Sequence, residues 1–194
     1  METSMAALTN ALPETPMILV VEPGRVDHWD SVLGGETSDL VVIGGGERRQ
    51  DSVRLGVEMA AKRGAEVVMV HDAARPLVHP DDVRWVVDAL GDADGAILCA
   101  PVVETVKRVD SNGMIRETVS REQLRFAQTP QVFRVEALAA AWAGQNFDHE
   151  WTDEASMIEA GGGKVRCVMA EHPNPKLTTS GDLDLVRLME GKGS

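Results

Sequence analysis

Along the chain, short apolar runs alternate with segments in which apolar positions recur every three or four residues. The runs are MILVV (17–21), LVVI (40–43), EVVMV (66–70), GAILCA (95–100) and VRCVMA (165–170). Each is short, and valine and isoleucine recur through them, so each predicts a strand. The segments between them have helical period. Val26, Trp29 and Val32/Leu33 share one face, Val53, Val57 and Ala60 a second, and Val83, Val86/Val87 and Leu90 a third. Pro80 suits the first turn of that third helix. Nearly all-apolar strands alternating with helices imply the α/β class, a mostly parallel sheet with helices on both faces.

Two stretches break the alternation. Thr105 to Val109, the turn Asp110-Ser111-Asn112-Gly113, and Met114 to Val119 read as a β-hairpin. Its strands are polar and charged, so it cannot be core; it predicts an arm over about residues 101–121 that clasps a second subunit. The chain also opens on a helix, with Met1, Met5, Leu8 and Leu12 on one face. An α/β sheet of this kind usually binds its ligand beyond the strands' carboxyl ends, often at the first strand-to-helix loop. That first strand and loop are missing from the pattern. No repeat or linker interrupts the rest, so residues 1–194 read as one domain.

Composition narrows the partners. Hydrophobic residues make up 43% and charged residues 26%, as in soluble globular proteins. A net charge of -12 argues against nucleic acid and anionic membrane as partners, though a few cations can still converge on a small anion. No apolar run approaches the roughly 20 residues that span a bilayer, and METSMAALTNALPETP lacks the basic and apolar regions of a signal peptide. A cytoplasmic protein is expected, with Cys99 and Cys167 as a reduced, buried pair.

Candidate chemistry is concentrated at the predicted strand ends. VVIGGGERRQDSV (41–53) places Gly44, Gly45 and Gly46 between a strand and a helix, a pattern that suggests a phosphate cradle. VHDAARP (70–76) follows a strand directly and puts Asp72 and Arg75 where such sheets bind ligands. A carboxylate there can hold a divalent metal or a sugar hydroxyl, and an arginine can neutralise phosphate. A plain Asp-Arg ion pair stiffening the loop explains those two residues equally well. Thr105, Lys107, Arg121, Thr129, Thr152 and Lys176 are scattered polar candidates. Thr152 also reads as a cap for a helix starting near Asp153. GGGK (161–164) lacks the earlier glycine of a P-loop, no HExxH or CxxC occurs, and no serine sits in a GxSxG elbow.

Taken in order, seven segments resemble one family, the 2-C-methyl-D-erythritol 4-phosphate cytidylyltransferases. They are GGGERRQDSV (44–53), VHDAARPL (70–77), APVVETVKR (100–108), TVSR (118–121), QTPQVF (128–133), TDEAS (152–156) and NPKLT (174–178). The resemblance implies a Rossmann-like fold, a homodimer clasped by the arm, and transfer of CMP from CTP to methylerythritol phosphate with Mg²⁺ carried on the nucleotide. It implies that Gly44–Gly46 and Ser52 contact cytosine, and that Asp72, Ala73 and Arg75 lie beside ribose and phosphates, with Asp72 as the one candidate metal ligand. Arg121 and Lys176 would grip the acceptor phosphate as the catalytic pair, with Thr105, Lys107, Thr129 and Thr152 nearby.

The chain departs from the family pattern in three places. Glu104 stands where the family usually has aspartate, and Arg48-Arg49 stand where one arginine is usual. The match also begins after the strand and the glycine-rich loop, bearing arginine and lysine, with which the family opens. That implies a gap or raw edge in the sheet. Two further readings stay open beside the transferase. One is a non-catalytic or weakly active homologue that binds nucleotide or dimerises; the other is a ribitol-phosphate cytidylyltransferase.

Overall fold

The computed structural model describes residues 2–33, 39–144 and 148–179, with 181, 182, 184, 186 and 188 beyond them. In chain order the elements are α1 (Glu2–Ala11), β1 (Met17–Val21), α2 (Val26–Leu33), β2 (Leu40–Gly44), α3 (Arg49–Lys62), β3 (Val67–Val70) and α4 (Pro80–Ala89). There follow β4 (Gly95–Pro101), β5 (Val106–Val109), β6 (Ile115–Val119), β7 (Arg125–Arg134), α5 (Val135–Gly144), α6 (Glu154–Ala160) and β8 (Val165–Met169).

The strands form three ladders: β1 with β2, the order β3-β7-β4-β8, and β5 with β6. β1 pairs parallel to β2, and β4 parallel to β8. β7 runs antiparallel to both β3 and β4. The apolar alternation did not single out this strand, because its first half, Arg125 to Gln128, mixes polar and apolar residues without a regular period and is largely exposed.

Successive residues of β4 point to opposite faces, as strand geometry requires. Ile97 and Cys99 join Val57 of α3, Leu138 of α5 and Met157 of α6 in one core. Ala96 and Leu98 join Val86 of α4 and Leu90, the residue that ends it, in the other. The central sheet is therefore covered on both faces, which is why its strands read as continuous apolar runs. Adjacent positions of β7 divide in the same way: Phe133 packs into the first core and Val132 into the second. Gly95 lies opposite Phe133 in the ladder, and a Cβ there would stand 2.5 Å from the ring. The missing side chain leaves room for the ring.

The expected hairpin is present. Asp110 closes its turn by accepting from the N–H groups of Asn112 and Met114 at 2.9 and 3.0 Å. Gly113 supplies the left-handed conformation, with φ 78°. Of the two cysteines only Cys99 is buried; Cys167, on β8, is exposed, which corrects the expectation of a buried pair. Among the described residues β8 pairs only with β4, and as an edge strand it is less covered than the central strands.

The expected raw edge is also present. Among the described residues, β1 bonds only to β2, and β3 only to β7. Between β1 and β3 lies a cavity of about 640 Å³ lined by Leu8 and Leu12 of α1, Ile18 and Val20 of β1, and Val68 and Val70 of β3.

Phe133 is fully buried at the centre of the larger core. Replacing it with alanine is expected to cost about 3–5 kcal/mol of stability, read from the midpoint of urea unfolding. An unchanged midpoint would contradict the packing described.

Candidate active site

β3 ends at Val70, and the next residues carry the site. Asp72 is the hub of an ionic cluster. Lys176 Nζ lies 2.9 Å from its Oδ2, Arg49 Nε 3.4 Å from its Oδ1, and Arg75 Nε 3.8 Å from its Oδ2. Burial works to raise the Asp72 pKa, but the Lys176 hydrogen bond and the charges of Arg49 and Arg75 outweigh it and hold the carboxyl below its ordinary range. Three cations thus share one carboxylate, and the plain Asp-Arg pair is only part of a larger network.

Arg49 spans the site. Its Nη1 reaches both carboxylate oxygens of Glu154, at 2.9 and 3.0 Å. Glu154 is 1% exposed at the start of α6, and burial raises its pKa despite the attraction of Arg49. Sequence reasoning missed both residues. The doubled arginine of GERRQDS was the available signal, and the two arginines divide the labour. Arg48 bonds Asp51 at 2.9 and 2.8 Å and closes the first turn of α3, while Arg49 turns inward.

The loop backbones are tied just as closely. Asp72 N–H donates to Thr129 Oγ1 at 3.0 Å, and Thr129 Oγ1 lies 3.2 Å from His71 Nδ1. His71 Nε2 lies 3.1 Å from the carbonyl of Arg75. Arg75 donates to the Asn174 carbonyl at 2.8 Å, and Asn174 Nδ2 donates to the Thr129 carbonyl, also at 2.8 Å. Leu177 N–H reaches Ala74 O at 2.8 Å. The loop after β3 and the segment bearing Lys176 are therefore held against each other through β7. Ala73 is exposed beside Asp72 and leaves the backbone there open to a ligand.

The glycine loop lies flat against the start of α3. Gly46 N–H donates to Ser52 Oγ at 3.1 Å, and Gly45 N–H to the Val21 carbonyl at 2.7 Å. A Cβ on Gly45 would meet Ser52 Oγ at 2.6 Å, and one on Gly46 would collide with the Cβ of Asp51. These glycines serve close approach, for none of the three has a positive φ. Gly44 is tight as well, with Pro23 Cα 3.3 Å from where its Cβ would be.

The remaining candidates stand apart. Thr105 is exposed on the arm, and Lys107 donates to Thr118 at 2.6 Å across the hairpin. Arg121 donates to the Val103 carbonyl, and among the described residues no hydrogen bond or ion pair joins it to the Asp72 cluster. Thr152 does not cap α6. Asp153 does, accepting from Ser156 N–H at 2.9 Å, while Thr152 Oγ1 lies 3.5 Å from Ser156 Oγ. Asp153 accepts because its backbone is extended and its carboxylate reaches the third residue on, the geometry of an N-cap.

Fold and cluster together define an α/β protein that gathers arginine and lysine beyond the carboxyl end of a strand, the arrangement of an enzyme acting on a phosphorylated ligand. Residues 1–189 match the sequence profile of the family described as IspD, 2-C-methyl-D-erythritol 4-phosphate cytidylyltransferase, and the chain belongs to that family. It is 40% identical over 185 residues to the bifunctional enzyme IspD/IspF of Rhodospirillum rubrum, covering 94% of this chain and 48% of that one. It is 35% identical over 175 residues to the 2-C-methyl-D-erythritol 4-phosphate cytidylyltransferase of Acidobacterium capsulatum, covering 87% and 73%. The chain thus spans about half the length of the first relative and nearly three quarters of the second. Among solved structures, the cytidylyltransferase of Thermus thermophilus superposes with a TM-score of 0.79 at 29% identity, over 97% of this chain and 86% of that one. A 4-diphosphocytidyl-2C-methyl-D-erythritol synthase superposes at 0.83 with 33% identity, over 97% and 89%. No helix among the described residues is long and apolar enough to cross a membrane.

Burial pulls the pKa of His71 below its ordinary value, so the folded chain binds this proton less readily than the unfolded chain. Stability tied to His71 is then complete above the unfolded pKa of about 6.5 and is lost as pH falls below it. Thermal melts between pH 7.5 and 5.5 should fall more steeply for the native chain than for His71→Asn. Parallel slopes would show that His71 does not titrate in this way.

Proposed function

We propose that the chain transfers CMP from CTP to the phosphate of 2-C-methyl-D-erythritol 4-phosphate, releasing pyrophosphate, as a single catalytic domain working in the cytoplasm. The observation that carries this reading is the sharing of Asp72 by Lys176, Arg49 and Arg75 in a chain of this family. The nucleophile is already an anionic phosphate oxygen, so no general base is required. The reaction needs alignment and cations: the acceptor oxygen forms a bond to the α-phosphorus of CTP while the bond to pyrophosphate breaks.

Asp72 fits that need in the absence of substrate by holding the cations in place. An arriving phosphate competes with it for Lys176 and Arg49, and the cations pass from carboxylate to phosphate. Asp72 would then be a hard oxygen donor able to hold Mg²⁺. Mg²⁺ would supply further neutralisation of the triphosphate. Gly44–Gly46 and Ser52 are assigned the cytosine end, which they would contact through backbone groups and the Ser52 hydroxyl. Ala73 and Arg75 are assigned the ribose and phosphates, and Thr105, Lys107, Thr129 and Thr152 the surroundings of the acceptor.

Release of pyrophosphate from CTP plus the methylerythritol phosphate is the direct test. Lys176→Ala and Arg49→Ala should each lower kcat/KM by about 10²–10³-fold, the usual loss for one charge-stabilising group. Unchanged rates would remove the cluster from the mechanism. An inactive native chain that still binds CTP would favour the reading as a nucleotide-binding, dimerising homologue, and turnover with ribitol phosphate alone would reassign the acceptor.

The arm supports a homodimer. Val109, Met114 and Ile115 are 53%, 62% and 62% exposed on a hairpin whose strands, among the described residues, pair only with each other. In such a dimer Arg121 would approach the acceptor phosphate together with Lys176 of the other subunit. Sedimentation should give a dimer for the native chain and a monomer for Ile115→Asp; a monomeric native chain at micromolar concentration would rule the arm out as an interface.

A further inference from the structure

Outside the Asp72 cluster, a second group of side chains converges where the loop after β8 meets the start of α4. His79 is the N-cap of α4, Asp81 lies in its first turn, and His172 comes from the loop after β8. One potential ligand atom from each of these three lies within 4.8 Å of the others. The two imidazoles are stacked, with centroids 3.5 Å apart and planes 13° from parallel, and Trp85 lies 6.1 Å from the His172 ring. All three side chains are accessible, at 41%, 44% and 34% exposure.

Behind His172 stands a group that the rest of the fold does not explain. Asp82 is 0% exposed. Its Oδ1 accepts from Glu171 N–H at 3.2 Å and lies 3.4 Å from His172 Nδ1, without the alignment of a hydrogen bond. Its Oδ2 has no partner among the described residues. A buried carboxylate left so poorly satisfied is costly. A carboxylate behind a histidine ring is also the recurrent outer partner of a metal-bound imidazole, because it fixes the ring and strengthens the ligand.

We propose that His79, Asp81 and His172 bind one borderline divalent transition ion such as Zn²⁺, with Asp82 as the positioning carboxylate behind His172. Two imidazoles and one carboxylate are a donor set such ions favour, and three protein ligands leave a fourth position for water. Because imidazole lone pairs lie in the ring plane, the exposed His79 ring must turn out of its stack with His172 to share the ion, and two existing partners are displaced. Arg84 pairs with Asp81 at 2.5 Å, and His79 Nδ1 accepts from Asp81 N–H at 3.2 Å. The Arg84–Asp81 pair is exposed, where such pairs contribute little, whereas the His79 cap hydrogen bond contributes more and is a loss that ion binding must outweigh. The site is separate from Asp72 but not mechanically remote from it. His172 begins the segment that carries Asn174 and Lys176, so a bound ion fastens that segment to the start of α4.

Titration of metal-stripped protein with Zn²⁺, followed by calorimetry, tests the site. The native chain should bind one ion, and His172→Ala or His79→Ala should each weaken binding by about 100-fold or more. Asp82→Asn should weaken it by about 10–100-fold, the usual effect of losing an outer partner. Zn²⁺ should raise the melting temperature of the native chain and leave that of a folded His172→Ala chain unchanged. Where His172→Ala or Asp82→Asn fails to fold by circular dichroism, the exposed His79→Ala decides. No saturation up to about 0.1 mM Zn²⁺ would overturn the proposal. So would binding that survives both histidine substitutions, or binding that only Cys167→Ser removes.

Discussion

A proline cannot donate to a β-ladder. In this protein that constraint falls on Pro130, in the one strand that joins β3 to β4. The ladder between β4 and β7 is in register at Ile97 with Gln131 and again at Cys99 with Ala127. Across the break β4 contributes Leu98 alone, while β7 contributes Gln128, Thr129 and Pro130. The extra length leaves the hydroxyl and carbonyl of Thr129 free for other partners. Asp72 N–H takes the hydroxyl and Asn174 takes the carbonyl. The irregularity in the sheet is thus the anchor for both loops that form the site.

Those loops carry charge that the chain as a whole opposes. A net charge of -12 repels anions at long range, so any anionic ligand would have to be drawn by local concentration of cations. Arg49, Arg75 and Lys176 face the two carboxylates of Asp72 and Glu154, which leaves the cluster one positive charge in excess. Burial sharpens this arrangement. Glu154 is nearly inaccessible and paired through two oxygens, so Arg49 is held in a defined place before any ligand arrives. Positioning of that kind is what phosphoryl-group chemistry demands.

Arg49 also solves a problem of architecture. β1 and β2 form a unit that carries the glycine loop, whereas Asp72 follows β3 in the larger sheet. The edges of β1 and β3 do not bond to each other, and an apolar cavity separates them. α3 spans both units. Gly56 packs against Val20 of β1, Val57 enters the core under β4, and Arg49 reaches from the first turn to Asp72 and Glu154. The glycine loop and the cationic cluster are held in register by one helix and not by a continuous sheet.

Much of this was legible in the residues. Apolar runs and helical spacing marked β1 to β4, β8 and the four helices α1 to α4, because burial on both faces forces a strand to be apolar throughout. The turn of the arm was readable from Asp110 to Gly113, where backbone conformation depends on residue type. The ordered motifs identified the family and pointed to Asp72, Arg75 and Lys176. β7 escaped notice, since a strand half polar and broken at Pro130 has no clean period. Arg49 and Glu154 escaped too, being 105 residues apart, and their pairing exists only when α3 and α6 meet. His172 beside His79 is the same kind of case. The sequence by itself determined most of the strands, the first four helices and the family they belong to, for these follow from local spacing and residue type. Only the tertiary structure decided which cations share a carboxylate and which edges stay unpaired, because those depend on distances between segments that no local pattern encodes.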